Sequence, residues 1–493
     1  MNQSPCNFNR LFANELIATL IKMGSTHFFT SPGHRNAPLL WAIQNNTNNY
    51  SINIDERSSA YEALGFSKAS DSIPVLCCTS GTALANYFPA VIEAHHSKIP
   101  LIIISADRPK KLHNKQNNQT TNQINIYSEY CSFFKHENNL NRLSSPEYFQ
   151  FLAKSLYLKA YNSNLPVHLN IEFDDPLDQT IQDEINKIHV PKFTYSKDKN
   201  ISSNKVQKFK CDLLVVGEVH FKNRSYINKV LENYNGDVYC DITSSLSHFT
   251  NINTNDLGYY EHVIHIGGKV LDKNFYKKFE FSKLITLFQQ DENYIHDPSD
   301  VSDNFLKVDF ENLVIKNEKN PTINNSLKNK TKYYELLNNS DRPLFIGNSS
   351  IIRDINETSI NIEKNLFFNR GVSGIEGNIS TALGISTALN TPVDVVLGDI
   401  SFLYDLSCLS LLESRNIGIR IFLINNRCGG IFKRLPISKE KETNQIIQTP
   451  HNFNFEYLGN YFDKYLKVNT INKSILHETN MSNKNTLIEV IDV

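Results

Sequence analysis

Short apolar runs, each followed by a polar turn and then by an amphipathic stretch, constrain the fold of this chain most strongly. The first third contains such runs at residues 27–29, 51–54, 75–79, 101–105 and 167–171. Runs of this length predict buried β-strands, and the stretches between them predict helices. The repeated order of strand, loop and helix predicts a doubly wound sheet of parallel strands, in which ligands bind at the carboxyl ends of the strands.

The same pattern recurs in two later parts of the chain. Apolar runs at 213–217, 238–242 and 263–267 indicate a second α/β unit, and the run at 344–346 begins a third. Stretches dense in Lys and Asn, at 196–208 and 317–332, indicate solvated linkers. A chain of 493 residues is long enough for about three domains. We therefore expect an α/β protein with three doubly wound parallel-sheet domains, at 1–180, 195–330 and 332–493.

Charge and cysteine usage narrow the kinds of partner and compartment. The chain has 50 Lys and Arg residues against 51 Asp and Glu, so no overall basic field favours nucleic acid. Its cysteines form no CxxC pair and no zinc-type array, which is typical of reduced cysteines in a cytosolic protein. The first residues lack an apolar signal core, and no apolar run approaches the length of a bilayer span. We expect a cytoplasmic protein with no membrane span and no nucleic-acid partner.

Two strand ends in the third unit predict a site for a metal-bound diphosphate. One strand ends at Gly398-Asp399 and the next at Asn425-Asn426, and the helical spacing at 403–414 suits a crossover helix between them. A carboxylate, an amide oxygen and a nearby backbone carbonyl would supply the hard oxygen ligands that Mg²⁺ prefers. Gly429-Gly430 would let the backbone approach phosphates closely. Taken singly, the simpler interpretation is structural for each residue, with Asp399 at a turn and Asn426 as a cap.

Taken together, Gly398-Asp399 and the later Asn426 resemble the diphosphate and metal motif of thiamine-diphosphate enzymes. A closer resemblance, over nearly the whole length but weaker in the middle third, is to the 2-succinyl-5-enolpyruvyl-6-hydroxy-3-cyclohexene-1-carboxylate synthases of menaquinone biosynthesis. The segments that carry it are SPGHRNAPL (31–39), DERSSAYEALGFSKAS (55–70), TSGTALANYFPAVIEA (79–94), ADRP (106–109), GNSSIIR (347–353), NRGVSGIEG (369–377), GDISFLYDL (398–406) and GGIFKRLP (429–436).

This resemblance implies an activity and an assembly. The protein would be a thiamine-diphosphate-dependent transferase that decarboxylates 2-oxoglutarate and adds the succinyl carbanion equivalent to isochorismate in a 1,4-addition. Mg²⁺ or Mn²⁺ would hold the diphosphate of the cofactor. The resemblance also implies a homodimer or a dimer of dimers, in which the pyrimidine-binding domain of one subunit faces the diphosphate-binding domain of another.

The resemblance implies a role for individual residues of this chain that match functional positions of the family. Glu56 matches the activating glutamate, whose carboxyl group hydrogen-bonds the aminopyrimidine ring; outside this context, a surface pair with Arg57 would be the simpler interpretation. The implied cofactor contacts are Glu56, Ile375, Asp399, Ser401, Asn426, Gly429 and Ile431, and the implied metal ligands are Asp399, Asn426 and the carbonyl of Cys428. The implied substrate contacts are Arg35, Arg108, Asn118, Gln119, Lys273, Ser349, Arg353, Arg370, Phe432 and Leu435.

Several of these residues also have an ordinary structural interpretation. Each arginine alone is more often a surface ion-pair residue, but four of them near strand ends suit two dicarboxylate substrates. Ile375 is also consistent with a core isoleucine, and Ile431, Phe432 and Leu435 are also consistent with a helix core.

Three residues depart from the pattern of the family. His34 stands where a serine is usual, which would alter the pH dependence of substrate contacts. Cys428 replaces a glycine whose carbonyl binds the metal, a change that is harmless at negative φ and straining or oxidation-sensitive otherwise. Asn274 stands where an arginine is expected after Lys273, which puts a substrate contact from the middle domain in doubt.

Two other functions remain compatible with these residues. One is a different thiamine-diphosphate decarboxylase or carboligase acting on another 2-oxo acid. The other is an inactive cofactor-binding subunit with a structural or regulatory role, which would have no use for Glu56.

Overall fold

The computed structural model describes residues 8–138, 140, 146–177, 206–252, 254, 257–289, 302–317, 332–356, 364–415, 417–480 and 484–491. Contacts divide the chain into two units. The first contains Met1–Lys197, Asn369–Leu389 and Ser407–Leu411, and the second contains Asp198–Phe368, Asn390–Leu406 and Leu412–Val493. Most of the predicted linkers, 196–208 and 317–332, lies outside the described residues.

A six-stranded parallel sheet forms the centre of the first unit. Its strands are β1 (Phe28–Ser31), β2 (Tyr50–Ile52), β3 (Val75–Cys78), β4 (Ile102–Asp107), β5 (Phe133–Glu137) and β6 (Val167–Glu172), in the order β2-β1-β3-β4-β6-β5. The helices that accompany it are α1 (Phe8–Met23), α2 (Ala37–Asn46), α3 (Glu56–Ala69), α4 (Ala83–Asn86), α5 (Phe88–Ser97) and α6 (Pro146–Ser163). Neighbouring residues of a strand point to opposite faces, so Phe28 packs in the core that includes α1 while Phe29 packs in the core that includes α3.

The second unit contains a five-stranded and a two-stranded parallel sheet. The larger sheet comprises β8 (Leu213–Val216), β9 (Asp237–Cys240), β10 (Tyr259–Ile266), β11 (Glu280–Gln289) and β12 (Asn304–Val308), in the order β12-β11-β10-β8-β9. The smaller sheet pairs β7 (Gln207–Cys211) with β13 (Leu313–Asn317). Helix α7 (Arg224–Glu232) buries Ile227 and Leu231 against Leu214 of the larger sheet.

A second six-stranded parallel sheet also lies in the second unit. Its strands are β14 (Leu344–Ile346), β15 (Leu366–Phe367), β16 (Val393–Gly398), β17 (Ile419–Asn425), β18 (Lys464–Val468) and β19 (Thr486–Ile491), in the order β15-β14-β16-β17-β19-β18. The α-helices of the second unit that lie in the same part of the sequence as these strands are α8 (Tyr334–Asn339), α9 (Ser350–Asn356), α11 (Asp399–Tyr404), α12 (Lys441–Gln448) and α13 (Lys473–Glu478). Counted from its own first strand, this sheet has the same strand order as the first one.

Helix α10 (Asn378–Leu389) packs against α3 within the first unit. A Cβ atom on Gly65 would lie 1.9 Å from the carbonyl oxygen of Thr381, and one on Gly384 would lie 1.8 Å from the carbonyl oxygen of Glu62. A larger residue at either position would force the helices apart. The two glycines therefore allow α10 to pack closely against α3. This packing is why residues 369–389 belong to the first unit.

The connection from β16 to β17 differs from the predicted helix at 403–414. Helix α11 begins at Asp399 and ends at Tyr404, and a 3-10 helix follows over Leu406–Ser414. The strand was predicted to end at Gly398-Asp399, whereas β16 ends at Gly398 and Asp399 is the first residue of α11.

The predicted fold class, parallel α/β sheets, is confirmed, and each sheet takes its strands from one of the three predicted sequence ranges. The division into three domains at the predicted bounds stays a prediction. Among the described residues, no helix combines the length and the apolar character needed to cross a membrane.

Candidate active site

Glu56 lies at the carboxyl edge of the first sheet, just after β2. Asp55 caps α3, since its carboxylate accepts the N–H of Arg57 at 3.1 Å and the hydroxyl of Ser58 at 2.6 Å. Glu56 is the next residue, half-buried, and its Oε2 accepts a hydrogen bond of 3.4 Å from the side-chain amide of Asn86. A firmly capped helix thus carries Glu56 at its first position.

The cap residue itself is held ionised by its surroundings. Burial acts to raise the pKa of Asp55, but hydrogen bonds donated by Ser407, at 2.5 Å, and by Ser58 outweigh this effect, so the pKa lies below its ordinary value. Ser407 belongs to the first unit by contact. The start of α3 is therefore fixed by a carboxylate over the neutral pH range.

Arg35 is buried in the turn after β1, with an exposed fraction of 5%. Its Nη1 donates to the carbonyl oxygen of Phe173 at 2.8 Å and lies 3.5 Å from Asp175. Burial lowers the pKa of Arg35, Asp175 opposes this, and the neighbouring charge of Arg108 lowers the pKa further. A guanidinium remains charged despite such shifts. Arg35 and Arg108 thus form a cationic pair at the carboxyl ends of β1 and β4.

The turn that contains His34 is close-packed. The side chain of Asn36 accepts the N–H of Gly33 at 2.9 Å and donates to the carbonyl oxygen of Ser31 at 3.1 Å. A Cβ atom on Gly33 would lie 2.6 Å from Thr79. His34 is exposed on this turn, so its imidazole is open to solvent.

Asn118 and Gln119 lie in an exposed loop beside the turn that follows β3. Gly81 in that turn has φ of 91°, and a Cβ atom there would lie 3.2 Å from Gln119. The side chain of Gln123 accepts the N–H of Gly81 at 2.8 Å. The loop is therefore packed onto the same sheet edge as Arg35 and Arg108.

Glu93 holds the loop that carries Arg370, and sequence reasoning missed it. Its buried carboxylate accepts the N–H groups of Gly371 and Val372, both at 2.8 Å. It also accepts the hydroxyl of Ser97 at 2.7 Å. Glu93 has an exposed fraction of 1%, and Arg370 one of 8%. Nζ of the buried Lys68 also lies 3.8 Å from this carboxylate. No sequence signal indicated that Glu93 bonds to the backbone of Gly371 and Val372, because those residues are distant in the chain.

The predicted metal ligand Asp399 is buried at the end of β16, with an exposed fraction of 2%. Its Oδ1 accepts the N–H of Ile400 at 2.7 Å, and its Oδ2 lies 3.3 Å from Nε2 of His451. That pair does not have the geometry of a formed hydrogen bond, and Oδ2 has no hydrogen-bond partner among the described residues. Burial raises the pKa of Asp399, and the N–H of Ile400 and the imidazole of His451 offset this only in part. A cation at Oδ2 would relieve the cost of burying this carboxylate.

Asn426 and Cys428 lie in the loop after β17. The side-chain oxygen of Asn426 accepts the N–H of Cys428 at 3.2 Å, and a Cβ atom on Gly430 would lie 2.5 Å from its side-chain nitrogen. The left-handed residue of this loop is Arg427, with φ of 59°, whereas Cys428 is not among the residues with positive φ. The strain considered for Cys428 is therefore absent, and its carbonyl is compatible with metal binding. Burial raises the pKa of the Cys428 thiol, which disfavours the reactive thiolate.

His451 is a second residue that sequence reasoning missed. Its backbone N–H donates to the carbonyl oxygen of Arg427 at 3.0 Å. The N–H of Gly429 donates to the carbonyl oxygen of Gln448 at 2.7 Å. The segment after α12 is thereby tied to the loop that carries Cys428. No motif or spacing in the sequence singled out this histidine.

The other predicted contacts of the second unit range from exposed loop residues to a buried helix residue. Ser349, with φ of 76°, follows β14, and its carbonyl oxygen accepts Nη1 of Arg353 at 2.6 Å. Lys273 and Asn274 are exposed beyond β10. Ser401 is buried in α11.

The predicted apolar contacts are not core residues. Ile431 and Phe432 are half-buried in a 3-10 helix, Gly430–Arg434, that has no buried residue, and the exposed fraction of Leu435 is 45%. The helix-core alternative for these three is therefore wrong. Ile375 is half-buried, and its carbonyl oxygen accepts a hydrogen bond of 2.6 Å from Asn378.

The residues around Asp399 and Asn426 are chemically suited to hold a divalent cation. Oδ2 of Asp399 is buried and forms no hydrogen bond with the described residues, and a side chain at Gly430 would collide with the amide of Asn426. Carboxylate, amide and carbonyl oxygens form the donor set of a hard divalent cation. Glu56, Arg35 and Arg108 lie at one sheet edge of the first unit, and Asp399 and Asn426 lie at one sheet edge of the second.

Comparisons with known proteins agree with this geometry. Residues 11–126 match the family described as "Thiamine pyrophosphate enzyme, N-terminal TPP binding domain". Benzoylformate decarboxylase from Polynucleobacter necessarius has the same fold, with a TM-score of 0.70 and 15% identity over 97% of this chain and 98% of that one.

Curated relatives identify the family more closely. Two proteins named 2-succinyl-5-enolpyruvyl-6-hydroxy-3-cyclohexene-1-carboxylate synthase are each 30% identical to this chain. The one from Staphylococcus epidermidis matches 92% of this chain and 88% of its own length. The one from Syntrophus aciditrophicus matches 93% of this chain and 90% of its own length. These matches confirm the resemblance, the enzyme class and thiamine diphosphate as cofactor. The chain belongs to the 2-succinyl-5-enolpyruvyl-6-hydroxy-3-cyclohexene-1-carboxylate synthase family of thiamine-diphosphate-dependent enzymes.

Proposed function

We propose that this protein decarboxylates 2-oxoglutarate and adds the remaining succinyl unit to isochorismate, giving 2-succinyl-5-enolpyruvyl-6-hydroxy-3-cyclohexene-1-carboxylate. The observation that carries the proposal is the match to synthases of that name over 92% of the chain at 30% identity. Neither another 2-oxo acid decarboxylase nor an inactive subunit is favoured by these relatives. Benzoylformate decarboxylase shares the fold at only 15% identity, so its substrate carries no weight here.

Glu56 acts on the cofactor in this proposal. Thiamine diphosphate, when bound, supplies the nucleophilic carbon and the electron sink for decarboxylation. The carboxyl group of Glu56 donates a hydrogen bond to the aminopyrimidine ring and moves the proton that activates it. The cap at Asp55 holds the start of α3, and with it the backbone of Glu56, at the strand end, and the side chain of Glu56 is half-buried.

A divalent cation, Mg²⁺ or Mn²⁺, would be held by Asp399, Asn426 and the backbone carbonyl of Cys428. Such a cation would neutralise charge on the diphosphate. Gly429 has no side chain, so its backbone would allow phosphates to approach closely. Ser401 lies in the same helix as Asp399 and, in this proposal, would donate a hydrogen bond to a phosphate oxygen. The buried and otherwise unpaired Oδ2 of Asp399 supports this assignment.

The arginines bind the two dicarboxylate substrates. Arg35 and Arg108 form a cationic pair on the first unit, and Arg370 is fixed there by its neighbours' bonds to Glu93. On the second unit, Arg353 braces the turn at Ser349. Planar guanidinium groups bind carboxylates in two-point fashion, which orients the substrate as well as attracting it. The more exposed Asn118, Gln119, Lys273, Phe432 and Leu435 complete the substrate contacts in this proposal.

We further propose that the working site forms between two copies of the chain, as a homodimer or a dimer of dimers, in the cytoplasm. The apolar side chains that precede Glu56 support this, since Ile52 and Ile54 have exposed fractions of 53% and 83%. Exposed apolar residues at a functional edge are typical of an interface. Mixing two inactive variants, Glu56→Gln and Asp399→Ala, tests the arrangement: exchanged subunits would contain one intact site, and activity should return. Mixtures that stay inactive after verified subunit exchange contradict it.

The activity itself is tested by omitting one substrate. Purified protein with thiamine diphosphate and Mg²⁺ should consume 2-oxoglutarate only when isochorismate is present. Consumption without isochorismate would identify a simple decarboxylase. Bound cofactor with no consumption in either case would favour the inactive-subunit function.

A further inference from the structure

We propose that His451 is a positioning residue that aligns the carboxylate of Asp399 for the divalent cation. The inference rests on the proposed metal site and extends it to a residue that no sequence motif marks. It is carried by the local geometry of the imidazole, of Asp399 and of the loop between β17 and α12.

The hydrogen-bond partner of one ring nitrogen fixes the state of the other. Nδ1 of His451 accepts the backbone N–H of Phe453 at 3.2 Å, so in the neutral ring the hydrogen lies on Nε2. Nε2 lies 3.3 Å from Oδ2 of Asp399, and neither atom has a hydrogen-bond partner among the described residues. An N–H on Nε2 can donate to a carboxylate but cannot bind a cation. His451 is therefore suited to hold the ligand, not to be one.

The carboxylate can serve both neighbours at once. Oδ1 of Asp399 already accepts the N–H of Ile400 at 2.7 Å, which leaves Oδ2 as the oxygen without a formed bond. Each carboxylate oxygen has two lone pairs, so Oδ2 can accept from His451 and still bind a cation. Such outer partners of a metal ligand fix its orientation and raise metal affinity.

The support of the imidazole is rigid. Its ring packs edge-on against Phe455 with centroids 5.9 Å apart, and Phe455 packs in turn against Phe402 of α11 at 5.6 Å. The exposed fraction of the His451 side chain is only 14%. Its backbone N–H is bonded to Arg427, in the loop that supplies Cys428. One residue thus links the two strand ends that carry the proposed metal ligands.

The test measures metal affinity and not turnover. Mn²⁺ is titrated into the full-length protein with thiamine diphosphate present, and free Mn²⁺ is followed by electron paramagnetic resonance. We expect His451→Ala and His451→Phe to raise the Kd for Mn²⁺ by about 10- to 100-fold, the range typical of lost outer partners. His451→Gln keeps a donor at a similar reach and should stay within about threefold of the unchanged protein. His477→Ala, on the exposed face of α13, is the matched control and should change nothing.

The variants separate positioning from simple structural support. His451→Phe retains the packing against Phe455, so a loss of affinity in a variant with unchanged melting temperature identifies the lost donor. Wild-type affinity in both His451→Ala and His451→Phe, alongside lost binding in Asp399→Ala, overturns the role of His451 alone. Wild-type affinity in Asp399→Ala overturns the metal site and the inference together.

Discussion

Replacing Glu93 with glutamine should loosen the loop at Gly371 and Val372, next to Arg370, while the hydrogen bond from Asn378 still holds Ile375, the proposed cofactor contact of this loop. The carboxylate accepts two backbone N–H groups, from Gly371 and Val372, both at 2.8 Å. Glutamine offers one oxygen and one N–H donor, so one backbone N–H would face another donor and the other would bond to a neutral group. A buried N–H without an acceptor costs about 1–3 kcal/mol, and the lost charge adds about 1 kcal/mol. The loop should therefore open more easily by about 2–4 kcal/mol.

Hydrogen exchange measures that loosening directly. Because about 1.4 kcal/mol corresponds to a factor of ten, the amides of Gly371 and Val372 should exchange roughly 30-fold faster or more in Glu93→Gln. Since Arg370 is the neighbouring residue, KM for one dicarboxylate substrate should rise while the affinity for thiamine diphosphate stays constant. Glu311→Gln makes the same chemical change at an exposed side chain and should leave both readouts unchanged. Unaltered exchange of the 371–372 peptide in Glu93→Gln would refute the reasoning.

Two further predictions concern activation and packing. Glu56→Gln should leave thiamine diphosphate bound, as measured by calorimetry, and reduce turnover by at least about 10²-fold, because glutamine cannot move the proton; unchanged turnover contradicts the role of Glu56. Gly384→Ala should destabilise the protein by about 1–3 kcal/mol or more in denaturant unfolding, since its Cβ atom would lie 1.8 Å from a carbonyl oxygen of α3. Gly258→Ala, where the added Cβ atom meets no other atom within 4 Å, is the matched control, and equal stability of the two variants would show that α10 and α3 are not closely packed.

The features that could be predicted from sequence were those with local signals. Apolar runs located strands such as β2 and β16, and their polar ends placed Glu56 and Asp399 at carboxyl edges of parallel sheets. The spacing between Gly398-Asp399 and Asn426 in the sequence was enough to predict thiamine diphosphate as the cofactor. The reason is that these residues follow β16 and β17, which are neighbours in one sheet.

The features that could not be predicted depend on contacts between distant residues. Glu93 bonds to Gly371 and Val372, and His451 lies beside Asp399, in each case far away in the chain. Glu93 lies within the family-like segment 79–94, but nothing in that segment indicates these distant partners. The prediction of a single helix over 403–414 was wrong, because the spacing of apolar residues does not distinguish a short α-helix from a 3-10 helix that follows it. The sign of φ at Cys428 could not be predicted from the sequence, since it depends on the conformation of the whole loop. In the structure the left-handed residue of this loop is Arg427.

The central claim is the coupling of decarboxylation to addition on isochorismate, and isotope labelling tests it most directly. The protein is incubated with uniformly ¹³C-labelled 2-oxoglutarate, unlabelled isochorismate, thiamine diphosphate and Mg²⁺, and the products are analysed by mass spectrometry. We predict one adduct that retains every labelled carbon except the one released as CO₂, formed at the rate of CO₂ release. Labelled CO₂ with a labelled four-carbon aldehyde or acid, and no adduct, would contradict the account.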